Sequence, residues 1–200
     1  MKRALIVIDV QNEYFSGKLR VTYPDPHTSL ANIGRAMDVA REAAIPVLVV
    51  QHTAPAGAPI FDKGTAAWEL HEVVRQRAHD HYVEKAKASV FAGTDVHAWL
   101  RENGIDTLTI AGYMTQNCNA STIYQAMHDG YAVEMLSDAT GAVPYTNAAG
   151  SASAEEIHRV ISVIFHSNFA AVTSTQAWID AVNDGVAIAK GDVLSSVQAV

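Results

Sequence analysis

The sequence predicts a three-layer α/β protein in which helices cover both faces of a six-stranded parallel sheet. Short apolar runs alternate along the chain with stretches of helical periodicity, and this alternation requires right-handed crossovers between parallel strands. The first run, ALIVID, is continuously apolar and rich in branched residues, which is typical of a strand buried on both faces. The strand order that we expect is the Rossmann-like order 3-2-1-4-5-6.

Six apolar runs are predicted to form these strands. The third run contains fewer apolar residues than the others, and the sixth is the shortest. In chain order the predicted strands are residues 4–9, 46–51, 81–86, 106–112, 131–138 and 170–174.

Helical patterns fill the intervals at residues 29–43, 94–103, 118–129 and 153–166. Thr94 is the expected N-cap of the second helix. Gly104 and Gly130 follow the second and third helices, where glycine commonly ends a helix. Ser153 and Glu156 have the spacing of a capping box. The longest irregular stretches are 10–28, 51–67 and 139–152, and the first two follow strands, where open α/β sheets place ligand loops.

The composition predicts one globular domain over residues 1–200, with 183–200 as a candidate tail at a subunit interface. The net charge is −7 and no basic run occurs, which disfavours a nucleic-acid partner. The apolar run at the amino terminus is about five residues long, too short for a signal peptide or a membrane span. One cysteine cannot form an internal disulfide, which fits a reducing compartment, so a cytoplasmic location is expected.

Three reactive side chains are expected at one edge of the sheet. Asp9 ends the first strand, Lys85 ends the third, and Cys118 follows the fourth at the start of a helix. In the expected strand order Asp9 and Cys118 would face each other across the switch point, with Lys85 reaching in. The helix start and a lysine ammonium both lower a thiol pKa. A carboxylate raises it, so Asp9 is better suited to take the thiol proton than to stabilise a thiolate.

Each of these residues also has a structural interpretation. A lone cysteine is often a buried small hydrophobe. Asp9 can cap the turn after its strand, and Lys85, with Lys87 close by, can be a solvated surface residue. Their shared position at one sheet edge is what supports a catalytic interpretation.

Four segments of the sequence resemble a known family. They are LIVIDVQNEYF, VEKAKASVFAGTDV, the block from Gly104 to Thr140, and TSTQAWI. They are similar to the isochorismatase-like cysteine hydrolases, which include nicotinamidases and N-carbamoylsarcosine amidohydrolases, and the resemblance covers about residues 3–180. The family's lysine is followed by phenylalanine and then Gly-Thr, and this spacing selects Lys85 over Lys87. The matching positions are Lys85, Phe91, Gly93 and Thr94, and then Gly112, Thr115, Cys118 and Thr122.

The resemblance implies a catalytic triad of Asp9, Lys85 and Cys118. Cys118 would attack a carbonyl carbon and expel an amine or ammonia, and water would then hydrolyse the thioester. Asp9 would carry the proton from the thiol to the leaving group while Lys85 orients Asp9. The resemblance also implies a cis peptide bond between Tyr113 and Met114, which would aim the N–H of Met114, with that of Cys118, at the oxyanion.

The resemblance does not extend to the metal site of nicotinamidases. That site is an Asp-x-His after the second strand with further histidines, whereas this chain has Gln51 in place of the acid and keeps only His52. A divalent metal needs three or four ligands. We therefore expect no metal and no cofactor, and nicotinamide is disfavoured as the substrate. His79 and His81 are expected to be solvated.

Side chains on the loops around the crevice are candidate substrate contacts, although aromatic residues there occur equally often in a core. Gln11, two residues after Asp9, is suited to hold either the triad or a polar substrate group. The candidate set is Gln11, Phe15, His52, Trp68, Phe91, Tyr113 and Asn117.

The predicted function is hydrolysis of an amide or carbamoyl C–N bond of a small molecule by a metal-independent cysteine hydrolase. One alternative is vinyl-ether hydrolysis of an isochorismate-like acid, for which Lys18, Arg20 and Lys63 are the candidate cationic contacts. Another alternative is a non-catalytic binding or redox-sensing protein that keeps an oxidisable thiol. A homodimer or homotetramer is expected from the resemblance, and no membrane partner is expected.

Overall fold

The computed structural model describes residues 1–198 and has the predicted three-layer architecture. The strands of this range are β1 (Arg3–Ile8), β2 (Val47–His52), β3 (His81–Lys85), β4 (Thr107–Tyr113), β5 (Ala132–Gly141), β6 (Tyr145–Asn147), β7 (Gly150–Ala152) and β8 (Ala171–Thr173). Six of them form one parallel sheet in the order β3-β2-β1-β4-β5-β8. Because β8 is the sixth strand of this sheet, the expected order is confirmed.

The central position of β1 explains its uninterrupted apolar sequence. Every residue of β1 is buried, since β2 and β4 flank it and helices cover both faces. Leu5 pairs with Val47 on one side and with Thr109 on the other. A strand in this position has no solvent-facing side, and polar alternation is therefore absent.

The helices of the described range are α1 (Pro26–Glu42), α2 (Glu72–Arg75), α3 (Val96–Glu102), α4 (Ala120–His128), α5 (Ala154–Ile164), α6 (Thr175–Asn183) and α7 (Val193–Gln198). Helices α1, α2 and α6 supply core residues to one face of the sheet, among them Ile33, Val74 and Trp178. Helices α3 and α4 supply Leu100 and Ile123 to the other face. The capping box of Ser153 and Glu156 at the start of α5 is present as predicted.

Two predicted helix starts lie elsewhere in the structure. Helix α3 begins at Val96 with Asp95 as its N-cap, so the assignment of Thr94 was wrong. The Thr94 hydroxyl donates to the carbonyl of Val90 and also accepts from the N–H of Val96 at 3.4 Å, so Thr94 contacts the first turn of α3 from one residue before its N-cap. The helix predicted from residue 118 begins at Ala120, because residues 115–119 form a wider π-helical turn.

The prediction that residues 139–152 are irregular is partly wrong. Strand β5 continues to Gly141, and β6 and β7 form a separate antiparallel hairpin. Most residues of the hairpin are exposed, so it has no buried side and no alternating apolar pattern to reveal it.

A close contact between β1 and β4 fixes the edge of the sheet where Asp9 and Cys118 emerge. Gly112 pairs with Ile8 and has φ +107°, and a Cβ at Gly112 would lie 2.1 Å from the Ile8 carbonyl oxygen. Only glycine permits this approach without moving a strand.

We expect Gly112→Ala to lower the free energy of unfolding by about 3 kcal/mol, because overpacking adds to left-handed backbone strain. Gly130→Ala is the matched control, since Gly130 has φ +92° but open space where the added methyl group would lie. It should cost only about 1 kcal/mol. Urea denaturation measures both changes, and equal losses would show that the contact with Ile8 is not the cause.

No helix among the described residues is long and apolar enough to cross a membrane. The predicted tail 183–200 is described as far as residue 198, and residues 199–200 lie outside the described range. It contains α7, on which Val193, Leu194 and Val197 are exposed. The role of this tail at a subunit interface stays a prediction.

Candidate active site

The carboxyl ends of three strands bring an acid, a lysine and the cysteine together. Asp9 follows β1, Lys85 is the last residue of β3, and Cys118 lies in the turn after β4. The Lys85 ammonium is 2.6 Å from Asp9 Oδ2 and 3.3 Å from Cys118 Sγ. Because β2 separates β3 from β1, the long lysine stem is what spans the distance between these strand ends. The juxtaposition expected from the strand order is present.

The Lys85 ammonium has a third neighbour, which the sequence did not reveal. His52, at the end of β2, pairs with Lys85 across the two strands, and its Nδ1 is 3.3 Å from Lys85 Nζ. A lysine ammonium has three protons to donate. Asp9, Cys118 and His52 therefore provide one acceptor for each of them.

Burial strengthens the electrostatic interactions among these side chains. The side chains of Lys85 and Asp9 are 0% exposed, and Cys118 is 5% exposed. Removing either charge alone would leave the other unpaired in a poorly solvated position. Asp9 Oδ1 has no hydrogen-bond partner within residues 1–198, so one carboxylate oxygen stays free to accept a proton.

Burial favours the neutral form of the Cys118 thiol. Burial raises its pKa well above that of a free cysteine, the Asp9 carboxylate raises it further, and the Lys85 ammonium opposes both. Lys85 thus lowers the thiol pKa as predicted, but burial raises that pKa by more. Burial lowers the pKa of Lys85, yet Asp9 and Cys118 raise it to a net value above that of a free lysine, so the ammonium stays charged.

We expect alkylation of Cys118 by iodoacetamide to be slow at neutral pH and to rise about tenfold per pH unit through the alkaline range. Because the thiol pKa is raised, the thiolate fraction of Cys118 still increases with pH in the alkaline range where a free cysteine is already fully ionised. Intact-protein mass spectrometry gives the rate, and the same protein in urea serves as the unfolded control. A rate that is flat between about pH 6 and pH 8 would indicate a preformed thiolate and contradict this assignment.

The turn that carries Cys118 also provides backbone donors. The peptide bond between Tyr113 and Met114 is cis, as the family resemblance implied. Within the described range the N–H of Met114 donates to no backbone or side-chain acceptor. The turn is anchored because the Asn119 amide donates to the carbonyl of Gly112 at 2.8 Å and the Thr122 hydroxyl donates to the carbonyl of Cys118 at 2.7 Å.

One group of potential metal ligands is found in the described part of the chain. Asp9, His52 and Cys118 each offer one ligand atom, and these atoms lie within 4.8 Å of one another. The same three side chains are the acceptors around the Lys85 ammonium. The cation that they surround is thus the lysine, and the arrangement does not fit a metal ion in addition.

Three of the candidate substrate contacts, Gln11, His52 and Trp68, belong to a hydrogen-bond network beside the triad. The Gln11 amide donates to the carbonyls of His52 and Trp68, and its oxygen accepts from the His52 N–H at 2.9 Å. The Trp68 indole donates to the Thr53 hydroxyl at 3.0 Å. Gln11 thus holds the loops together. His52 is half-buried, and burial followed by the Lys85 charge lowers its pKa, which keeps the imidazole neutral.

The other candidates occupy different positions, and two of them, Tyr113 and Phe91, are core residues. Phe15 is half-buried and packs between His71 and Tyr113. Tyr113 is fully buried, and its hydroxyl is 2.7 Å from Ser29 Oγ in the core. Phe91 is buried and stacks on His97 at 4.3 Å. Phe91 also stacks near Tyr131, which precedes β5 at the edge of the sheet opposite the triad. Asn117 is exposed beside the cysteine. Their substrate roles stay predictions.

Sequence reasoning missed two tyrosines near the candidate active site, since Tyr14 packs against Tyr113 and the Tyr145 hydroxyl is 4.0 Å from the Met114 sulfur. Burial is the largest cause of the raised pKa of both Tyr14 and Tyr145, and proximity to Cys118 contributes at each. Tyr14 precedes the chosen candidate Phe15, and Tyr145 lies in the stretch assigned as irregular. The available signal for Tyr14 was its place in the short loop after Asp9, but nothing in the sequence distinguishes its orientation from that of Phe15.

The sequence and the fold are similar to those of one protein family. The family model described as the isochorismatase domain matches residues 3–177. A crystal structure of an isochorismatase-type protein from Burkholderia xenovorans LB400 has a TM-score of 0.98 at 60% identity and covers 98% of this chain and 95% of its own. An uncharacterised isochorismatase family protein of Bacillus subtilis, YddQ, is 29% identical over 181 residues, which are 90% of this chain and 99% of that protein. The N-carbamoylsarcosine amidase of Thermoplasma acidophilum is 25% identical with a TM-score of 0.71, covering 88% of this chain and 97% of that one.

Proposed function

Because this chain belongs to the isochorismatase family of hydrolases, we propose that it cleaves a C–N bond of a small amide or carbamoyl compound through a thioester on Cys118. The observation that carries the proposal is the Lys85 ammonium, which contacts both Asp9 and the Cys118 sulfur. A structural cysteine has no need of a buried ion pair, whereas a cysteine nucleophile needs a base and a means of controlling charge.

The first half of the reaction forms the thioester. The Cys118 proton passes to Asp9 while the sulfur bonds to the carbonyl carbon of the substrate. The carbonyl oxygen becomes an oxyanion, and the N–H groups of Met114 and Cys118 are the donors available to it. When the oxyanion collapses, the C–N bond breaks and Asp9 returns the proton to the departing nitrogen.

The second half consumes water. Asp9, again a carboxylate, takes a proton from a water molecule as its oxygen bonds to the thioester carbon. The C–S bond then breaks, and the proton returns to the sulfur. The products are an acid and the free enzyme. Lys85 keeps Asp9 oriented throughout and limits the energetic cost of negative charge on the sulfur.

Similarity to the N-carbamoylsarcosine amidase supports an amide or carbamoyl substrate. Vinyl-ether hydrolysis of a dicarboxylic acid is less well supported, because the candidate cations are engaged elsewhere or exposed. Lys63 pairs with Glu84 at 2.8 Å, and Arg20 donates to the carbonyl of Gly17. A redox-sensing role calls for an accessible, acidic thiol, whereas Cys118 is buried with a raised pKa.

A cytoplasmic location and assembly as a homodimer or homotetramer belong to the same proposal. Assembly is supported by the exposed apolar residues of α7, which are Val193, Leu194 and Val197.

A screen of small primary amides and carbamoyl compounds for ammonia release tests the proposed reaction. We expect turnover of at least one compound by the wild-type protein. The variants then separate the two enzymatic alternatives, because vinyl-ether hydrolysis by proton donation depends on Asp9 but not on the sulfur. Full activity of Cys118→Ala together with loss of activity in Asp9→Asn would overturn the thioester route.

A further inference from the structure

Tyr14 carries a buried hydroxyl for which the fold provides no partner. The residue is 1% exposed, yet within residues 1–198 its hydroxyl makes no hydrogen bond, and its oxygen is not among the fully sealed polar atoms. A phenol that serves only to fill a core usually pairs its hydroxyl. The Tyr113 hydroxyl does so with Ser29 at 2.7 Å. The unpaired hydroxyl of Tyr14 therefore indicates a partner that is not part of the protein.

The ring of Tyr14 is held firmly beside the candidate active site. It packs against Phe61 and Tyr113, with ring centroids 5.5 and 5.4 Å away. Phe61 in turn contacts His52, which touches the Lys85 ammonium. Two aromatic neighbours leave the Tyr14 ring little freedom to rotate away. Its hydroxyl is consequently preorganised.

The neighbours of the ring place Tyr14 beside the candidate active site, because Tyr113 is joined to Met114 by the cis peptide bond and Phe61 contacts His52. After burial, the largest contributions to the raised pKa of Tyr14 come from Cys118 and then Asp9, with a further one from Tyr145. Charges act strongly only at short range. The contributions of Cys118 and Asp9 agree with this placement of the ring, and the raised pKa favours the protonated hydroxyl, which can donate a hydrogen bond.

We propose that the Tyr14 hydroxyl donates a hydrogen bond to an acceptor atom of the substrate close to the scissile carbonyl, and so selects amides that carry such an acceptor. This inference rests on the proposed function and names its substrate class: small amides or carbamoyl compounds with an ether, hydroxyl, carbonyl or ring-nitrogen acceptor near the reacting carbon. A site built to pair with a polar atom discriminates against analogues that lack it.

Tyr14→Phe tests the hydroxyl without removing the ring. Butanamide and 2-methoxyacetamide form a matched pair, since an ether oxygen in the second replaces a methylene group in the first. We expect Tyr14→Phe to lower kcat/KM for 2-methoxyacetamide by about 3- to 10-fold and to leave kcat/KM for butanamide within about twofold. Comparing each variant with wild type on the same substrate cancels the intrinsic reactivity of the two amides.

Two other tyrosines provide controls. Tyr131 precedes β5 at the opposite edge of the sheet, so Tyr131→Phe should leave kcat/KM unchanged for both substrates. Tyr145 also lies at the candidate site, with its hydroxyl 4.0 Å from the Met114 sulfur, but it is 41% exposed. Water can replace its hydroxyl, and Tyr145→Phe should have a smaller effect than Tyr14→Phe. If Tyr14→Phe lowers kcat/KM equally for 2-methoxyacetamide and for butanamide, the proposal is overturned.

A second measurement is independent of turnover. If wild type hydrolyses neither amide, alkylation of Cys118 in alkaline buffer is compared for iodoacetamide, which carries an acceptor, and for 1-iodopropane, which carries none. Tyr14→Phe should slow only the first reagent, by a similar factor. An unchanged ratio of the two rates would reject the role of Tyr14. By contrast, failure of the proposed hydrolysis would appear as amide turnover that survives Cys118→Ala.

Discussion

Cys118→Ala is expected to lower kcat/KM for any amide substrate by about 10⁴-fold or more, because removing a nucleophile leaves only binding and oxyanion stabilisation. The substitution is small, and it removes a sulfur that belongs to the buried cluster on one face of the sheet. We therefore expect the free energy of unfolding to change by no more than about 1 to 2 kcal/mol. Ammonia release and urea denaturation measure the two effects separately.

The control for this variant is a buried hydroxyl outside the site. Ser162 Oγ is buried without a partner in the described range, and Ser162→Ala alters a similarly small side chain on α5. It should retain activity within about twofold, as expected for substitutions that touch no reacting group. Should Cys118→Ala retain more than about a tenth of the wild-type rate, covalent catalysis by the sulfur would be excluded.

Lys85→Met is expected to combine loss of activity with a large loss of stability. Removing the ammonium leaves the Asp9 carboxylate buried without its 2.6 Å partner. Breaking a buried ion pair in this way costs about 3–5 kcal/mol. Activity should fall by about 10²-fold or more, since Asp9 is no longer oriented and charge on the sulfur is no longer balanced.

The neighbouring Lys87 provides a matched control for this substitution. Lys87 is exposed, and Lys87→Met should change stability by less than about 0.5 kcal/mol and leave turnover intact. Asp9→Asn combined with Lys85→Met should recover most of the lost stability but none of the activity, because the double variant has no uncompensated charge and also no base. Asparagine tolerates the φ of +51° at position 9. Full stability of Lys85→Met alone would contradict the buried pair.

The expected position of the three side chains could be derived from the sequence because it depends on strand ends. The uninterrupted apolar run of β1 predicts a central strand, and the end of a central strand lies beside the crevice. The family resemblance, through the spacing of Phe91, Gly93 and Thr94 after the lysine, selected Lys85 over Lys87. One sequence does not specify the strand order, and the expected order is the common one of doubly wound sheets, with which the alternation of strands and helices and the right-handed crossovers are compatible.

Other features of the site depend on tertiary contacts that no local pattern specifies. His52 touches Lys85 because β2 and β3 pair in a particular register. The raised pKa of Cys118 reflects burial, which is known only once the loops are packed. The short 3₁₀ turn at Asn12–Tyr14 decides that Tyr14, and not Phe15, packs between Phe61 and Tyr113. The hairpin of β6 and β7 escaped prediction because its residues are mostly exposed.

The central claim, that the sulfur of Cys118 becomes acylated during turnover, is tested most directly by acid-quenching a reaction in the steady state and mapping the protein by mass spectrometry. We predict that the peptide containing Cys118 gains the mass of the acyl fragment minus one hydrogen in wild type, and that this adduct disappears on treatment with hydroxylamine, which cleaves thioesters. Rapid turnover without any adduct on Cys118, at quench times short enough to capture a single catalytic cycle, would contradict the account.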